Sequence, residues 1–599
     1  MQIITIDFET YYSQEFSLSK MTTEEYVRDE RFQVIGFAYQ IDDTEPRWVT
    51  GTTEHIKAQL EALPWKDSYA LAHNAVFDGA IMSFIFGIKP KMWLDTLSMA
   101  RATDGLEAGN SLAKLAQRYE LGVKGTEVVQ ALGYRRENFN PAELEAYGKY
   151  CCNDVTLTFD LFNILIQRFS KSELQLIDLT IRMFTEPVLR LNTPVLEQHL
   201  IKVKARKEKL LEACVSDKDT LMSNPKLAEL LEGLGVEIPM KTSPATGKET
   251  YAFAKNDDGF KALAEHPDER VQAIVAARLG TKSTLEETRT ERFISISFRG
   301  AMPVPLRYYA AHTGRWGGDD KLNLQNLPRQ SPIKSAITAP NGFKLIDADS
   351  SQIEARTLAW LAGQNDLVEA FEKGEDVYKI MASAIYGKAS EEITKDERFV
   401  GKTTILGAGY GMGAEKFALQ LKTFGVEIEV AEAKRIIDTY RSTYPHIVSL
   451  WKEANKSLDA LRSSQTTTVG VQPQALYITE NGFVLPSGLF LNYPDLQKDD
   501  ENQYSYHSRR GRIKIYGGKV VENICQALAR CVIGEQMLRI SKKYKVALTV
   551  HDAVMVVVPE AEAEEAQKYV EECMRWRPEW AKTLPLNCES GIGDNYAEC

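Results

Sequence analysis

Two acidic residues near the amino terminus have the spacing of a metal-binding pair. Residues 4–9 alternate apolar and polar side chains, the period-two pattern of a half-buried β-strand, which places Asp7 and Glu9 on one face. Two carboxylates a few ångström apart repel each other by up to about 4 kcal/mol at an effective dielectric constant of 20. A divalent cation would offset this repulsion, but a solvated strand face would need none. This motif alone leaves both interpretations open.

Further acidic residues follow within the first 170 residues. The apolar stretch 71–78 predicts a second strand that runs into a polar end with Asp78. The sequence N-P-A-E at 140–143 is a helix start signal, and the predicted helix carries Tyr150 and Asp154 four residues apart on one face. Each of these features alone is typical of an ordinary amphipathic surface.

The three motifs together are more specific. In this order, D-x-E, N-x-x-F-D and Y-x-x-x-D resemble the exonuclease motifs of the tyrosine-containing DEDD nucleases. The resemblance covers residues 1–170 and implies a ribonuclease-H-like 3′ to 5′ exonuclease that acts on single-stranded 3′ ends. It implies that Tyr150 orients the attacking water and that two divalent cations are held by Asp7, Glu9, Asp78 and Asp154. Such ions lie about 3.5–4 Å apart and bind the attacking and leaving oxygens.

The second half of the chain places acidic residues beside apolar strands. Residues 343–348 predict a strand that leads to Asp349, and two later apolar runs predict a hairpin with His551 and Asp552 at its tip. A carboxylate flanked by so much apolar sequence requires compensation. A metal ion shared by Asp349 and Asp552 would supply it.

Two capping-box patterns predict the starts of helices between these acids. Residues 351–354 match the first pattern, which gives Glu354 a purely structural explanation. Residues 394–397 match the second, and the helix that follows carries at four-residue steps Arg398, Lys402, Leu406 and Tyr410. A cationic helix face of this kind is most often only solvated.

Motifs across residues 171–599 resemble those of family A DNA polymerases. In order they are T-G-R at 313–315, N-L-Q-N-L-P at 323–328, D-x-S-Q-I-E-x-R at 349–356, R-x-x-x-K at 398–402 with Y-G at 410–411, and H-D at 551–552. The resemblance implies an α/β multidomain protein in which the exonuclease is followed by a right-hand polymerase. We expect a mainly helical thumb at 171–300 and a palm at 301–599, with fingers inserted at about 360–475.

The resemblance also implies roles for individual residues. Asp349 and Asp552 would hold two Mg²⁺ ions, with Mn²⁺ as a substitute. Arg398 and Lys402 would bind the triphosphate of the incoming dNTP, and Lys402 would protonate the pyrophosphate. The other residues expected near the nucleotide are Glu354, which would block a 2′-hydroxyl, Leu406, Tyr410 and His551. Contacts to primer-template DNA are expected from Thr313, Arg315, Asn323, Gln325, Gln526 and Lys241.

The chain departs from the usual family pattern at three positions. Leu406 stands where the family usually has an aromatic residue, Ser350 where it has Tyr, and Ala553 where an acidic residue follows the second catalytic Asp. None of these positions is an expected metal ligand. The departures leave sugar discrimination, nucleotide affinity and base preference open.

Composition and charge indicate the compartment in which the protein works and the kinds of partner it can have. Eight Cys without a C-x-x-C pair argue against a zinc cluster or a disulfide framework, and no apolar run approaches a membrane span of about 20 residues. We expect a cytoplasmic protein without a membrane partner. The net charge of -11 gives no general sign of a nucleic-acid partner, but residues 1–170 hold 16 Lys plus Arg and 24 Asp plus Glu. The acidity is therefore concentrated in the exonuclease region.

Together these features predict a template-directed, proofreading DNA polymerase that replicates a bacteriophage genome. We expect a monomer, with a replicative helicase or a single-stranded-DNA-binding protein as further partners. The alternative is a nucleotidyltransferase resembling single-subunit RNA polymerases. Glu354 and the linked exonuclease weigh against this alternative.

Overall fold

The computed structural model describes residues 2–125, 131–214, 218–242, 249–254, 257–279, 285–328, 330–508 and 511–599. The first 170 residues form a five-stranded sheet of order β3-β2-β1-β4-β5, in which β1 pairs antiparallel with β2 and parallel with β4. Its elements are β1 Ile3–Thr10, α1 Thr23–Arg28, β2 Val34–Ile41, β3 Arg47–Thr50, α2 Thr53–Glu61, β4 Tyr69–Ala72, α3 Ala75–Ala80, β5 Met92–Asp95, α4 Thr96–Thr103, α5 Leu112–Arg118 and α6 Pro141–Leu165.

The predicted first strand and the predicted long helix are both present. Asn140 caps α6, because its side chain accepts from the Glu143 N–H while the Glu143 carboxylate accepts from the Asn140 N–H. The helix packs against β1, β2 and β3 and buries Tyr150 and Asp154. The capping box therefore determines where α6 begins, and the apolar face of α6 determines which side of the helix packs against the sheet.

The strand predicted over 71–78 is too long. Strand β4 ends at Ala72, and Asp78 lies on α3. Asn74 turns the chain with a φ of 74°, and the Asp95 side chain accepts from the backbone N–H groups of Asn74 and Ala75. A side chain 21 residues away in sequence therefore ends the strand, which strand periodicity alone does not predict.

Residues 171–300 are mainly helical. Part of this region has its own apolar core, which includes Leu227, Phe260 and Ile274. The basic run on α8 is partly neutralised, since Arg206 pairs with Glu269 and Lys207 pairs with Glu287. The elements are α7 Lys171–Thr185, β6 Arg190–Leu191, α8 Thr193–Cys214, α9 Lys218–Met222, α10 Asn224–Glu232, β7 Met240–Thr242, β8 Glu249–Tyr251, α11 Asp258–Ala262, α12 Glu269–Arg278 and α13 Leu285–Ser297.

The remaining residues are built around an antiparallel sheet of order β20-β21-β12-β22. Helices α15 to α21 form a long insertion after β12. The elements are β9 Leu306–Arg307, β10 Gly317–Gly318, α14 Pro332–Ala336, β11 Ile337–Thr338, β12 Phe343–Ser350, α15 Ile353–Ala362, α16 Asn365–Glu372, α17 Val377–Tyr386, α18 Lys395–Ala408, α19 Ala414–Thr423, α20 Val430–Thr443, α21 Pro445–Arg462, β13 Thr467–Thr468, β14 Tyr477–Thr479, β15 Gly482–Val484, β16 Phe490–Leu491, β17 Gln497–Lys498, β18 Tyr504–Ser508, β19 Gly511–Ile515, α22 Gly517–Ile540, β20 Lys545–Val550, β21 Ala553–Pro559, α23 Ala563–Arg575 and β22 Cys588–Gly593. Within the described residues, none of the helices has both the length and the apolar character that a membrane crossing requires.

A buried ion pair joins α7 to α22. Arg530 Nη1 lies 2.6 Å from Glu173 Oε1, and their side chains are 2% and 4% exposed. The guanidinium carbon lies 4.9–5.2 Å from the ring centroids of Tyr308, Tyr309 and Trp316. Aromatic faces and a carboxylate together compensate a charge that burial would otherwise disfavour.

We expect Arg530→Met to destabilise the protein strongly, because it leaves the Glu173 carboxylate buried without its cation. Breaking a buried pair from one side costs about 3–5 kcal/mol. Urea unfolding should show a lower midpoint, and a second change, Glu173→Leu, should restore part of the loss. The matched control is Lys543→Met, which removes an exposed pair with Glu565 and should change the midpoint little. If Arg530→Met and Lys543→Met lowered the urea midpoint equally, the expectation would be wrong.

Candidate active sites

Four carboxylates from three elements meet beside the amino-terminal sheet. β1 supplies Asp7 and Glu9, α3 supplies Asp78, and α6 supplies Asp154. The Phe8 N–H donates to Asp78 Oδ1 at 3.2 Å. The Asp154 charge acts directly on Asp7, as the Asp7 charge does on Glu9 and Asp78. We call these four residues the amino-terminal cluster, and they are the four that the sequence predicts.

Burial and mutual repulsion make the cluster unfavourable when all its members are charged. Burial, and then Asp154, raise the pKa of Asp7 from 3.8 to about 7. Burial, and then Asp7, raise the pKa values of Glu9 and Asp78 well above their usual range. A divalent cation would favour the charged forms of all of these groups.

Two members of the cluster, Asp7 and Glu9, lie close enough to share such a cation. Ligand atoms of Asp7, Glu9 and Cys151 all lie within 4.8 Å of one another. The carboxylate oxygens are the hard ligands that Mg²⁺ and Mn²⁺ prefer. The Cys151 thiol is different, because burial and the neighbouring carboxylates raise its pKa. It stays protonated and lies 3.4 Å from Asp7 Oδ2 as a weak donor.

Two tyrosines and a lysine border the cluster. Burial, and then the Asp154 charge, raise the pKa of Tyr150, so it is a neutral phenol at physiological pH. Tyr147 donates its hydroxyl proton to Glu9 Oε2 at 2.6 Å. Lys124 Nζ contacts the Asp154 carboxylate and lies 5.0 Å from the centroid of the Tyr150 ring.

Sequence reasoning missed Tyr147 and Lys124. Tyr147 shares a face of α6 with Tyr150 and Asp154, so helical periodicity could have found it. Lys124 lies outside the regular elements, in a stretch without a motif. No signal in the sequence marks it.

The second pair of predicted metal ligands lies at one end of the sheet of order β20-β21-β12-β22. Asp349 is on β12, directly across from Ala553, and Asp552 is in the turn between β20 and β21. The Ser350 N–H donates to the Asp552 carbonyl at 3.0 Å, which holds strand and turn together. Burial raises the pKa of Asp552, Arg315 opposes that shift, and Asp349 adds to it.

Arg315 occupies the space beside this pair. Its guanidinium contacts the Glu354 carboxylate and lies 3.7 Å from Asp552 Oδ1. The capping box predicted for Ser351 and Glu354 is wrong, because α15 begins after Gln352, which has a φ of 46° and makes no side-chain cap. Glu354 instead uses its carboxylate to bind Arg315.

The residues predicted to contact DNA differ in accessibility. Gln325 is buried; its Nε2 donates to the Thr549 carbonyl at 2.7 Å and its Oε1 accepts from the His551 N–H at 3.1 Å. The Gln325 amide therefore fixes the hairpin that carries Asp552. Thr313 is also buried, while Asn323 is half-buried and its Oδ1 accepts from the Gln325 N–H.

The two other predicted DNA contacts lie on separate elements. Gln526 is half-buried on α22 and donates to Glu522 Oε1 at 3.4 Å. Lys241 lies on β7, where its Nζ is 2.7 Å from Asp257 Oδ2. Residues 243–248, within the region predicted to be the thumb, lie outside the described residues.

The predicted cationic face is present on α18. The predicted capping box begins this helix, with the Thr394 side chain accepting from the Glu397 N–H. Leu406 and Lys402 are exposed, and Arg398 Nε donates to Asp376 Oδ2 at 2.7 Å. Tyr410 lies beyond the end of the helix and is half-buried. The two cations and Leu406 therefore share a face that Tyr410 does not extend.

Two family models match the chain. The model described as DNA polymerase family A matches residues 194–598, and a model described as 3′-5′ exonuclease matches residues 34–169. These matches confirm the expected order of an exonuclease followed by a polymerase. Asp7 and Glu9 precede the second match, so their place in the site rests on the geometry of the amino-terminal cluster.

Individual proteins are similar over most or all of the chain. The DNA polymerase of Bacillus phage SP02 is 25% identical, with 100% of both chains covered. DNA polymerase I of Pseudomonas aeruginosa is 27% identical, covering 84% of this chain and 53% of that protein. The thermostable DNA polymerase I of Thermus filiformis is 26% identical, covering 87% of this chain and 63% of that protein. The chain thus spans the whole phage relative and less than two thirds of these two bacterial relatives.

A solved structure confirms the fold. It is titled as the POL domain of Pol1 from M. smegmatis in complex with DNA primer-template and dNTP, and it covers 100% of this chain and 96% of that chain. The TM-score is 0.64 at 18% sequence identity. At this identity the likeness establishes the fold alone.

The raised pKa of Asp7 predicts a pH-dependent gain in stability for Asp7→Asn without metal ions. The pKa is about 7 in the folded protein against 3.8 for an ordinary Asp side chain, so burial of this carboxyl costs no stability below about pH 4, and its cost grows as the pH rises to 7. In EDTA, the gain in unfolding temperature should grow between pH 5 and 7 and reach at least about 2 °C at pH 8.

The control is Asp29→Asn, because a hydrogen bond from Arg31 lowers the pKa of Asp29. This change should give no gain at pH 8. An Asp7→Asn gain that is independent of pH would contradict the shift. With added Mg²⁺, the wild type should have a higher unfolding temperature than Asp7→Asn, since only the wild type keeps the full set of metal ligands.

Proposed function

The chain belongs to DNA polymerase family A and joins that polymerase to a 3′-5′ exonuclease, and we propose that each activity has its own carboxylate site. Primer extension is assigned to Asp349 and Asp552, and proofreading to the amino-terminal cluster. The observation that carries this assignment is the presence of two acidic sites on two different sheets, each in contact with a cationic side chain. The family assignment also favours a DNA polymerase over the RNA polymerase alternative.

Divalent ions serve both kinds of domain, and we propose Mg²⁺, which would neutralise the carboxylates and bind the attacking and leaving oxygens. In the polymerase site, Asp349 and Asp552 would hold the ions, and Arg315 sets the orientation of Glu354. Arg315 lies between Glu354 and Asp552, so it is placed to couple the sugar side of the nucleotide to the metal ligands. The closed ion pair keeps Glu354 from rotating freely.

The face of α18 binds the triphosphate in this proposal. Lys402 is exposed, and Arg398 lies on the same face. Arg398 must exchange its bond to Asp376 for a phosphate oxygen, whereas Lys402 is placed to bind phosphate and to protonate the leaving pyrophosphate. Leu406 offers an apolar contact near the nucleotide.

In the exonuclease site the neutral phenol of Tyr150 orients the attacking water. Tyr147 holds Glu9 through its hydroxyl, which limits the positions that this carboxylate can take. Tyr147 is thus a positioning residue, while Tyr150 touches the reacting water.

The phage relative supports a role in replicating a phage genome within the host cytoplasm. Primer-template DNA and dNTPs are the proposed substrates, as the M. smegmatis structure is titled as a complex with both. We propose that the protein acts as a monomer. A replicative helicase and a single-stranded-DNA-binding protein are proposed as partners on the basis of this role alone.

Single substitutions should separate the two activities. Asp552→Asn is expected to lower primer extension at least about 10³-fold, because it removes several kcal/mol of metal-assisted stabilisation. It should leave digestion of single-stranded 3′ ends near the wild-type rate. Asp7→Ala should do the reverse. The measurement is extension and digestion of labelled oligonucleotides, and loss of both activities in either folded variant would refute the two-site assignment.

Binding of primer-template DNA should weaken steeply with salt. Lys202 and Lys209 are exposed on α8, so replacing both with Ala should make the slope of log K against log salt shallower by roughly 2, one unit for each phosphate that is no longer neutralised. Lys66→Ala, an exposed change in the exonuclease region, is the control and should leave the slope unchanged. A slope that the double variant does not alter would exclude α8 from the duplex interface.

A further inference from the structure

Lys124 is a cationic side chain placed among the carboxylates of the exonuclease site. Its Nζ contacts Asp154 and lies 5.0 Å from the centroid of the Tyr150 ring. Its charge also lowers the pKa values of Asp7 and Glu9, against the stronger effect of burial. The ammonium group thus acts on several members of the cluster and on the tyrosine that orients the water.

The position of Lys124 is set by the helix that carries the catalytic residues. Asn153, next to Asp154 on α6, donates its side-chain N–H to the Val123 carbonyl at 3.1 Å. The Val123 side chain faces solvent and is 86% exposed. The Lys124 side chain is 27% exposed while that of Asp154 is 5% exposed. The ammonium group of Lys124 therefore forms the more solvent-accessible side of its pair with Asp154, and a phosphate that approaches from solvent would meet it before Asp154.

We propose that Lys124 binds the phosphate of the 3′-terminal nucleotide during exonucleolytic cleavage. The proposal rests on the proposed exonuclease site. Its ligand is the anionic phosphodiester of single-stranded nucleic acid, recognised by a charge-assisted hydrogen bond from the ammonium group. Lys124 would then be a catalytic residue that touches the substrate, in addition to the four metal ligands.

The charge balance of the loaded site supports this role. Four ionised carboxylates carry four negative charges, which two bound divalent cations would neutralise. The phosphodiester brings one further negative charge, and Lys124 supplies the cation that balances it. Without Lys124, a partly buried site would hold an uncompensated anion at the moment when substrate binds.

The same balance argues against a purely structural ion pair. If bound divalent cations neutralised the charge of Asp154, the Lys124 ammonium would lose much of the attraction that holds it there. It remains close to the cluster, because Asn153 ties its segment to α6. A phosphate oxygen is then its natural partner.

The charge demand rises as the reaction proceeds. An oxygen from water bonds to phosphorus and its proton passes to solvent, while the bond from phosphorus to the 3′-oxygen breaks. A nucleoside 5′-monophosphate leaves, and the new 3′-oxygen takes a proton from solvent. In the transition state between the bound diester and the cleaved products, the phosphoryl group carries one more negative charge than the diester. A cation beside this group therefore favours the hydrolysis.

The test combines a change in the protein with a change in the substrate. Wild type, Lys124→Met and Lys124→Arg are titrated with a single-stranded oligonucleotide in Ca²⁺, and electrophoresis confirms that the strand stays intact. A second oligonucleotide carries a neutral methylphosphonate at the last linkage. We expect Lys124→Met to raise Kd about tenfold for the phosphodiester and no more than about twofold for the methylphosphonate. Lys124→Arg should keep most of the wild-type difference between the two strands.

Two controls separate the possible failures. Lys114→Met, an exposed change on α5, should leave both Kd values unchanged, and primer extension by Lys124→Met should equal that of wild type if the variant is folded. If Lys124→Met weakens both strands equally, the lysine has only a structural role and the proposal is wrong. If wild type fails to digest 3′ ends in Mg²⁺, the proposed exonuclease function itself is wrong.

Discussion

Repulsion between neighbouring carboxylates is the constraint on which both active sites depend. Folding removes these carboxylates from water and brings them together, so that burial, and then the Asp154 charge, raise the pKa of Asp7 to about 7. Each site also has a cation of the chain in contact with its acids: Lys124 with Asp154, and Arg315 with Asp552 and Glu354. In the metal-free protein these cations offset part of the repulsion between the carboxylates. The repulsion that remains favours the binding of divalent ions.

Groups so costly to bring together require a rigid frame. In the exonuclease site, main-chain donation from Phe8 fixes Asp78, and Tyr147 fixes Glu9. In the polymerase site, Arg530 Nε donates to the Gly314 carbonyl at 3.1 Å, directly before Arg315. Arg530 is itself paired with Glu173 on α7, the helix that follows the exonuclease region. The cation beside the polymerase carboxylates is thus anchored through a buried pair to the junction between the two enzymes.

The sequence predicted the parts of the sites that depend on local signals. The alternation around Asp7, the capping boxes of α6 and α18, and the hairpin that carries Asp552 each follow from residues within a few positions of one another. The predictions were wrong where residues distant in sequence determine the local structure. Asp95 ends the strand before Asp78, and Arg315 draws Glu354 away from a cap. Lys124 and the hairpin-bracing amide of Gln325 were found only from the structure, because no local pattern encodes a contact that spans 30 or 226 residues.

Both sites bring carboxylates close together, but they differ in how deeply these carboxylates are buried. Glu9, Asp78 and Asp154 of the amino-terminal cluster are buried, and burial raises the pKa values of Asp7, Glu9 and Asp78, whereas Asp349 of the polymerase site is exposed. A polymerase site must admit a large triphosphate and release pyrophosphate at each step, and the exposed Asp349 leaves one of its two acids open to solvent. An exonuclease site admits only a frayed strand end and can enclose its acids. Enclosure strengthens every charge interaction inside it, and this explains why the net negative charge of residues 1–170 is compatible with binding a nucleic acid.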